Sequence, residues 1–339
     1  MNLDTNGAKE TLVSIKRDGA GDLDDLFGYS AKDVENESGI EVIGNNLNEI
    51  IVDYRRYIGV GDCPDQMCTN LVLLPQEINS AIQLIYISPE SKLYPYSTGT
   101  YLTALINNSY DAGHNNFNLS LNQDLIINDL GEGFVAEKKR PLKLNLIGDV
   151  GYALFTNAHF VDACIIGDVG KDALNYSHNC SIFIKGNVAE SLGSYSNNCS
   201  FNIKGDVGNS FGYESSHLSC KILGDVSFFF GNSSIGLNAI IKGNVDSNFG
   251  YVSKRLNAMI DGDVGCEFGL YSNSFKAIVD GNVKSVAERI PSGEIFISGN
   301  VETDWDENNW HKGVYPSYPL KSHEIYKSKM QELEVLEKW

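Results

Sequence analysis

Between residues 148 and 301 apolar residues recur with a period of neither 2 nor 3.6, but of 19. The word Gly-Asp/Asn-Val begins at Gly148, Gly167, Gly186, Gly205, Gly224, Gly243, Gly262 and Gly281, with a ninth copy one residue early at Gly299. A period of this size held without drift is the signature of a solenoid. Numbering each copy from its Gly as position 0, +2 is Val in all nine, from Val150 to Val301. Position +17 is Ile165, Ile184, Ile203, Ile222, Ile241, Ile260 and Val279. Position +15 is small or apolar, from Ala163 through Phe201 to Ala277. Apolar positions two apart predict strands with one face inward. Position +6 adds Leu192, Phe211, Phe230, Phe249 and Phe268 as a column of rings, while Lys185, Lys204, Lys242, Asp261 and Asp280 at +18 point outward.

No helical period occurs inside the repeat, and glycines mark the corners: Gly193, Gly212, Gly231, Gly250 and Gly269 at +7, and Gly151, Gly170, Gly208 and Gly265 at +3. Such columns are expected where φ is positive or where coils approach closely. The pattern therefore predicts a parallel β-solenoid, its coils rising about 4.8 Å each to a stack of about 40 Å, filled by Val, Ile and Phe with no room for a ligand. A Ser column at +10 (Ser177, Ser196, Ser215, Ser234, Ser253, Ser272) is expected to hydrogen-bond from coil to coil. Position +1 runs Asp149, Asp168, Asn187, Asp206, Asp225, Asn244, Asp263, Asn282, Asn300. It has two readings: carboxylates bracketing a cation between coils, or turn chemistry, since Asp and Asn both bond their own backbone and tolerate left-handed φ.

The coil G-D/N-V-G-x-x-F/L-G, best seen in "GDVGNSFGYESSHLSCKILGDV" (205–226) and "GDVGCEFGLYSNSFKAIVDGNV" (262–283), resembles the GXGXG β-helix family. That domain closes the large subunit of glutamate synthase and forms one of the subunits of formylmethanofuran dehydrogenase. The resemblance covers about residues 141–303. It departs at +10, where Ser replaces the family's Met, and at +12/+13, where pairs such as Asn198-Cys199 and Arg255-Leu256 replace a Gly pair. It implies a right-handed β-helix serving as a packing scaffold, with catalytic groups on other domains or subunits and no site residue to carry over.

The expected fold class is mainly β: a right-handed parallel β-solenoid of about nine 19-residue coils with capped ends. Residues 1–127 read as an N-terminal α+β cap domain with residues 1–35 mobile. Its helix runs from about Thr98 to Ala112, with Gly113 as the C-cap residue. Residues 128–303 form the solenoid, whose first imperfect coil begins near "DLIINDLGEG", with Asn128-Asp129-Leu130 as a degenerate Gly-Asp-Val. Residues 304–339 hold an aromatic loop (Trp305–Tyr318) and a closing helix from Ser322 that carries Tyr326, Met330, Leu333 and Leu336 along one stripe.

Charge narrows the partners. The chain of 339 residues carries a net −18, and residues 1–140 alone hold 21 acidic against 10 basic side chains, densest from Asp18 to Glu41. With no Lys/Arg cluster beyond Lys138-Lys139-Arg140 it is a poor nucleic-acid binder. No segment has the apolar length of a membrane span, and the start lacks a secretory signal. Seven scattered cysteines read as free thiols in the cytoplasm. Cys63 and Cys68 stand close enough to share a metal but lack a second pair of ligands. The six histidines share no ligand spacing, although His159 and His178, one repeat apart, are candidate stacked neighbours. No nucleophile elbow, phosphate loop or dinucleotide fingerprint is present. The expectation is therefore no catalytic, cofactor-binding or metal residue, and a scaffold or interaction protein that contacts a protein partner or itself. Its candidate surfaces are the edge of Tyr176, Tyr195, Tyr213, Tyr251 and Tyr271 and the Trp305–Tyr318 loop. The alternative is a carbohydrate-binding or polysaccharide-acting β-helix protein.

Overall fold

A computed structural model of the chain describes residues 47–59, 69–87, 92–121, 126–286 and 292–302. The expectations for residues 1–35, for the Cys63/Cys68 pair, for the Trp305–Tyr318 loop and for the closing helix lie outside them. Ten strands, β1 (Asn116–Ser120), β2 (Leu142–Ile147), β3 (Val161–Ile166), β4 (Ser181–Lys185), β5 (Ser200–Ile203), β6 (Ser219–Ile222), β7 (Asn238–Ile241), β8 (Asn257–Ile260), β9 (Asn273–Val279) and β10 (Ser292–Ile297), form one sheet in sequence order. Every neighbouring pair is parallel, and from β2 to β9 each residue pairs with its counterpart one repeat on, as in Ile184↔Ile203 and Ile222↔Ile241. The chain is a parallel β-solenoid.

Two further ladders complete each coil. Val150 bridges Val169, and the series continues through Val283↔Val301 at +2; a second series at +11 runs His159↔His178↔Asn197↔Ser216↔Ile235↔Lys254↔Asn273. Inside these three faces, the columns at +2, +6, +15 and +17 are buried as the periodicity predicts. One more inward column, at +13, is Val161, Cys180, Cys199, Leu218, Leu237, Leu256 and Phe275, all buried. The rings at +6 stack directly: Phe211 on Phe230 at 4.7 Å and 5°, and Phe230 on Phe249 at 5.0 Å and 4°. The early ninth copy is accommodated in the β9–β10 pairing, where Ser292 pairs Asn273 and Gly293 pairs Phe275, skipping Ser274.

The glycine columns divide into two physical causes. Those at +7 have φ between +62° and +76°. Those at position 0 from Gly186 onward lie against the backbone one coil below: a Cβ at Gly205 would meet the Gly186 carbonyl oxygen at 2.3 Å. The left-handed requirement extends beyond glycine. Positions +5, +9 and +12 also take positive φ in coil after coil, through residues such as Ala153, Tyr195, Asn198 and Val252. A non-glycine residue there costs about 1–2 kcal/mol. The cost is tolerated because the surrounding ladders fix the backbone.

The stack begins before residue 128. β1 pairs β2 with Asn116 opposite Lys143, whereas Lys143 in turn lies opposite Asp162, so the first coil is longer than the regular repeat by eight positions. The Asn128-Asp129-Leu130 segment is not a Gly-Asp-Val equivalent. The Phe155 amide donates to the Leu130 carbonyl as the Leu174 amide does to Leu154, which puts Leu130 at +6.

The described part of the N-terminal region is helical: α1 (Leu47–Tyr57), α2 (Pro75–Ile87) and α3 (Pro95–Asp111). Within residues 1–127 the described strand is β1, which joins the solenoid sheet, and no strand precedes it among the described residues. α3 starts three residues earlier than expected because Pro95 sits in its first turn, where a missing N–H is harmless. Its C-cap is Ala112, and Gly113 follows it at φ 110°. α2 covers the outer edge of β1: Gln83 Nε2 donates to the Ser120 carbonyl at 2.9 Å and Asn79 Oδ1 accepts from the Ser120 amide at 2.8 Å. These bonds close the edge that would otherwise recruit another strand. Buried Ile78, Ile82, Ile85, Tyr101, Leu105 and Ile106 join the core beneath Phe117 and Leu119.

Candidate contact surface

The tyrosines emerge from the corner between the +2 and +11 ladders. Tyr176 and Tyr195 share +9 in successive coils, so their rings stack at 4.7 Å and 3°. Tyr213, at +8 of the next coil, meets Tyr195 edge-on at 5.5 Å and 85°. The following coil places Asn232 and Ser233 here, and the edge resumes with Tyr251 and Tyr271 at 5.8 Å and 80°. The expected stripe is thus two clusters, of three rings and two. Tyr176 and Tyr271 keep about half their surface exposed, at 50% and 46%. The coil that interrupts the tyrosines carries Phe228 and Phe229, both exposed, at +4 and +5. The sequence reading missed them, although the polar Asn209-Ser210 and Ser247-Asn248 of the adjacent coils mark them as the exception.

Acidic groups flank the three-ring cluster. The adjacent Glu214 carboxylate pushes the Tyr213 hydroxyl up to about 12. Tyr195 is raised as well, first by partial desolvation and then by Glu214 and Tyr176. Glu190 pairs with Lys171 at 3.0 Å between coils.

The other candidates resolve as parts of the stack. In the +1 column each side-chain Oδ1 accepts the backbone amide of the +1 residue one coil on. These bonds include Asp149 from Asp168 at 2.8 Å, Asn187 from Asp206 at 2.9 Å and Asp263 from Asn282 at 2.7 Å. The acceptor bond runs to the next coil and not to the residue's own backbone, and none of these Asp or Asn residues has a left-handed φ. Asp and Asn interchange because each presents one acceptor oxygen. Among the described residues no three His, Cys, Asp or Glu side chains gather as metal ligands.

The serines at +10 are buried, yet bond within their own coil: Ser177 Oγ donates to the Leu174 carbonyl at 2.5 Å and Ser215 Oγ to Gly212 at 2.6 Å. Among the described residues, Ser234 and Ser253 Oγ have no partner. The expected coil-to-coil serine ladder is therefore replaced by bonds to the carbonyl three residues back.

His159 and His178 do stack, at 4.7 Å and 46°, and burial followed by the neighbouring His178 lowers the His159 pKa below the usual histidine range. Cys180 and Cys199 are buried neighbours in the +13 column. Each thiol donates to the carbonyl two residues back, Cys180 Sγ to His178 at 3.4 Å and Cys199 Sγ to Asn197 at 3.4 Å, and the neighbouring Cys199 thiol together with burial pushes the Cys180 pKa up.

In the helical cap, Asp53 is buried and accepts from Tyr101 Oη at 3.1 Å, Thr69 Oγ1 at 2.5 Å and Arg56. Burial and then Asp53 hold the Tyr101 hydroxyl far above the usual tyrosine range. This cluster ties α1 to α3 and has no sequence motif.

No protein family, curated protein or solved structure matches the chain. The fold places it among parallel β-solenoid proteins, and its class rests on the geometry alone. No helix among the described residues is long and apolar enough to cross a membrane.

Proposed function

We propose that this protein is a non-catalytic scaffold that binds a protein partner, or a second copy of itself, through the aromatic edge at Tyr176, Tyr195 and Tyr213. The observation that carries this reading is the exposure of Tyr176 and Tyr195 within an ordered cluster of rings on one corner of the solenoid. Aromatic side chains are enriched in the centres of protein interfaces. The likeness to the GXGXG β-helix supports the same role, a packing body within a larger complex. The buried thiols Cys164, Cys180, Cys199 and Cys220 fit a cytoplasmic setting, where thiols stay reduced.

A carbohydrate-binding function is the alternative. Sugar rings stack on open aromatic faces, whereas Tyr176 and Tyr195 cover one of each other's faces. That arrangement favours a partner that meets ring edges and hydroxyls. The test is isolation of the tagged full chain from its native cell, beside a Tyr176→Ala/Tyr195→Ala/Tyr213→Ala variant. The wild type is expected to bring a stoichiometric partner or a defined oligomer in light scattering, and the variant to lose it. A monomer without partners in both samples overturns the reading. Saturable glycan binding lost in the variant would transfer the edge to the alternative.

A further inference from the structure

Positions +4 to +9 form one side of the stack. Their amides at +5, +7 and +9 bond to adjacent coils, as Ser191 does to Asn209, Gly193 to Ala173 and Tyr195 to Tyr213. Position +6 points inward, which leaves +4, +5, +8 and +9 to face out. Across five coils the aromatic residues of this side are arranged symmetrically. Tyr195 at +9 and Tyr213 at +8 occupy the two coils before the Phe228/Phe229 coil, and Tyr251 at +8 and Tyr271 at +9 the two after it. The ring pairs match in geometry as well. Tyr195 meets Tyr213 edge-on at 5.5 Å and 85°, and Tyr251 meets Tyr271 at 5.8 Å and 80°. Phe228 and Phe229, at the centre, are 43% and 41% exposed.

A side that reads the same in both directions along the stack is complementary to a second copy turned end for end. A two-fold axis lying across the central coil brings each position opposite the same position in the coil equally far from the centre. Tyr213 then faces Tyr251 of the second copy, Tyr195 faces Tyr271, and the phenylalanines face their own counterparts. Charge agrees with this pairing. Glu214, at +9 of the coil before the centre, comes opposite Val252, at +9 of the coil after it, beside Lys254 and Arg255 at +11 and +12. All four are exposed. A carboxylate of each copy thus meets two cations of the other, which fixes the antiparallel direction.

We propose that this side is the interface of an antiparallel homodimer, with Phe228 and Phe229 on the two-fold axis and Glu214 of each copy against Lys254 and Arg255 of the other. The pairing rests on the aromatic edge being a protein contact and names its occupant as a second copy of this chain. The purified full chain would be sized by analytical ultracentrifugation over a range of concentrations, where a dimer of the 37.2 kDa chain is expected. Glu214→Lys alone, or Lys254→Glu/Arg255→Glu alone, sets like charges against each other and should raise the dimer dissociation constant at least about tenfold. Mixing the two variants one to one should restore the dimer, because every contact is then again between opposite charges. A monomer at every concentration, a dimer indifferent to the charge changes, or two variants that fail to rescue each other would overturn the pairing. A monomer that brings a different protein from its native cell, lost in the tyrosine variant, overturns the pairing and leaves the contact edge standing. A monomer with glycan binding at the edge overturns both.

Discussion

Phe230 lies flat on Phe211, its counterpart in the preceding coil, with ring centroids 4.7 Å apart and planes within 5°. That distance is the rise between strands, so the rings report the coil spacing from inside the core. Phe249 and Phe268 continue the column, and all four are fully buried.

Truncating the middle of this column should be costly. Phe230→Ala is expected to lower stability by about 3–5 kcal/mol, and Phe230→Leu by less, since Leu192 occupies the same position two coils below. Urea unfolding of the two variants against the wild type measures both, and equal small losses would mean that the ring is not in the core.

The +1 ladder should tolerate Asn and reject Ala. Asp206 Oδ1 accepts the Asp225 amide at 2.8 Å. Asp206→Asn keeps that acceptor and is expected to leave stability within about 0.5 kcal/mol, whereas Asp206→Ala loses it and should cost about 1 kcal/mol. Thermal unfolding with and without calcium separates this ladder from a cation site, because a ladder requires no calcium-dependent shift in Tm.

Left-handed positions give the opposite sign from ordinary glycine substitutions. Val252 has φ 56° and is exposed. A β-branched residue is strained there, so Val252→Gly should raise stability by about 0.5–1 kcal/mol despite the added chain entropy of glycine. A loss in the melting experiment would mean that the positive φ is wrong.

Acid should weaken the fold through the histidine pair. The folded-state pKa of His159 lies below its ordinary value of 6.5, so below pH 6.5 the unfolded chain binds the proton first. Stability is therefore full above that pH and falls as pH drops from 6.5 towards the folded pKa. His159→Asn, the residue that Asn197 already supplies at +11, should flatten the decline between about pH 5 and 7 in denaturant titrations.

The period was legible because its most buried positions admit few residue types: Val at +2 and Ile or Val at +17 occur in every coil. The +13 column was not, since Val161, Cys180, Leu218 and Phe275 share burial but no name. Glycine at +7 announced one left-handed corner, while Ala153, Val252 and Arg255 gave no sign of the others, because the ladders and not local preference hold them there. The start of the stack was hidden by the added length of the first coil. Of the candidate surface, the tyrosines stood out as aromatic residues beside corner glycines. Phe228 and Phe229 did not, since paired phenylalanines in a β protein ordinarily read as core. The serines at +10 were correctly placed inside and given the wrong acceptor, a distinction that sequence spacing of 3 against 19 cannot make for a side chain free to rotate.

The claim beneath all of this is that residues one repeat apart face each other, coil upon coil. Asn238 and Asn257 do so on the outer face, with Asn257 Nδ2 donating to Asn238 Oδ1 at 2.8 Å. In a Cys266→Ser background, Asn238→Cys/Asn257→Cys should form a disulfide on mild oxidation, and Asn238→Cys/Lys276→Cys, two coils apart, should not, because bridged Cα atoms must lie within about 7 Å. Mass spectrometry of the oxidised variants decides it: crosslinking of the first pair alone is the expected result, and failure of that pair, or equal crosslinking of both, would contradict the stacked register.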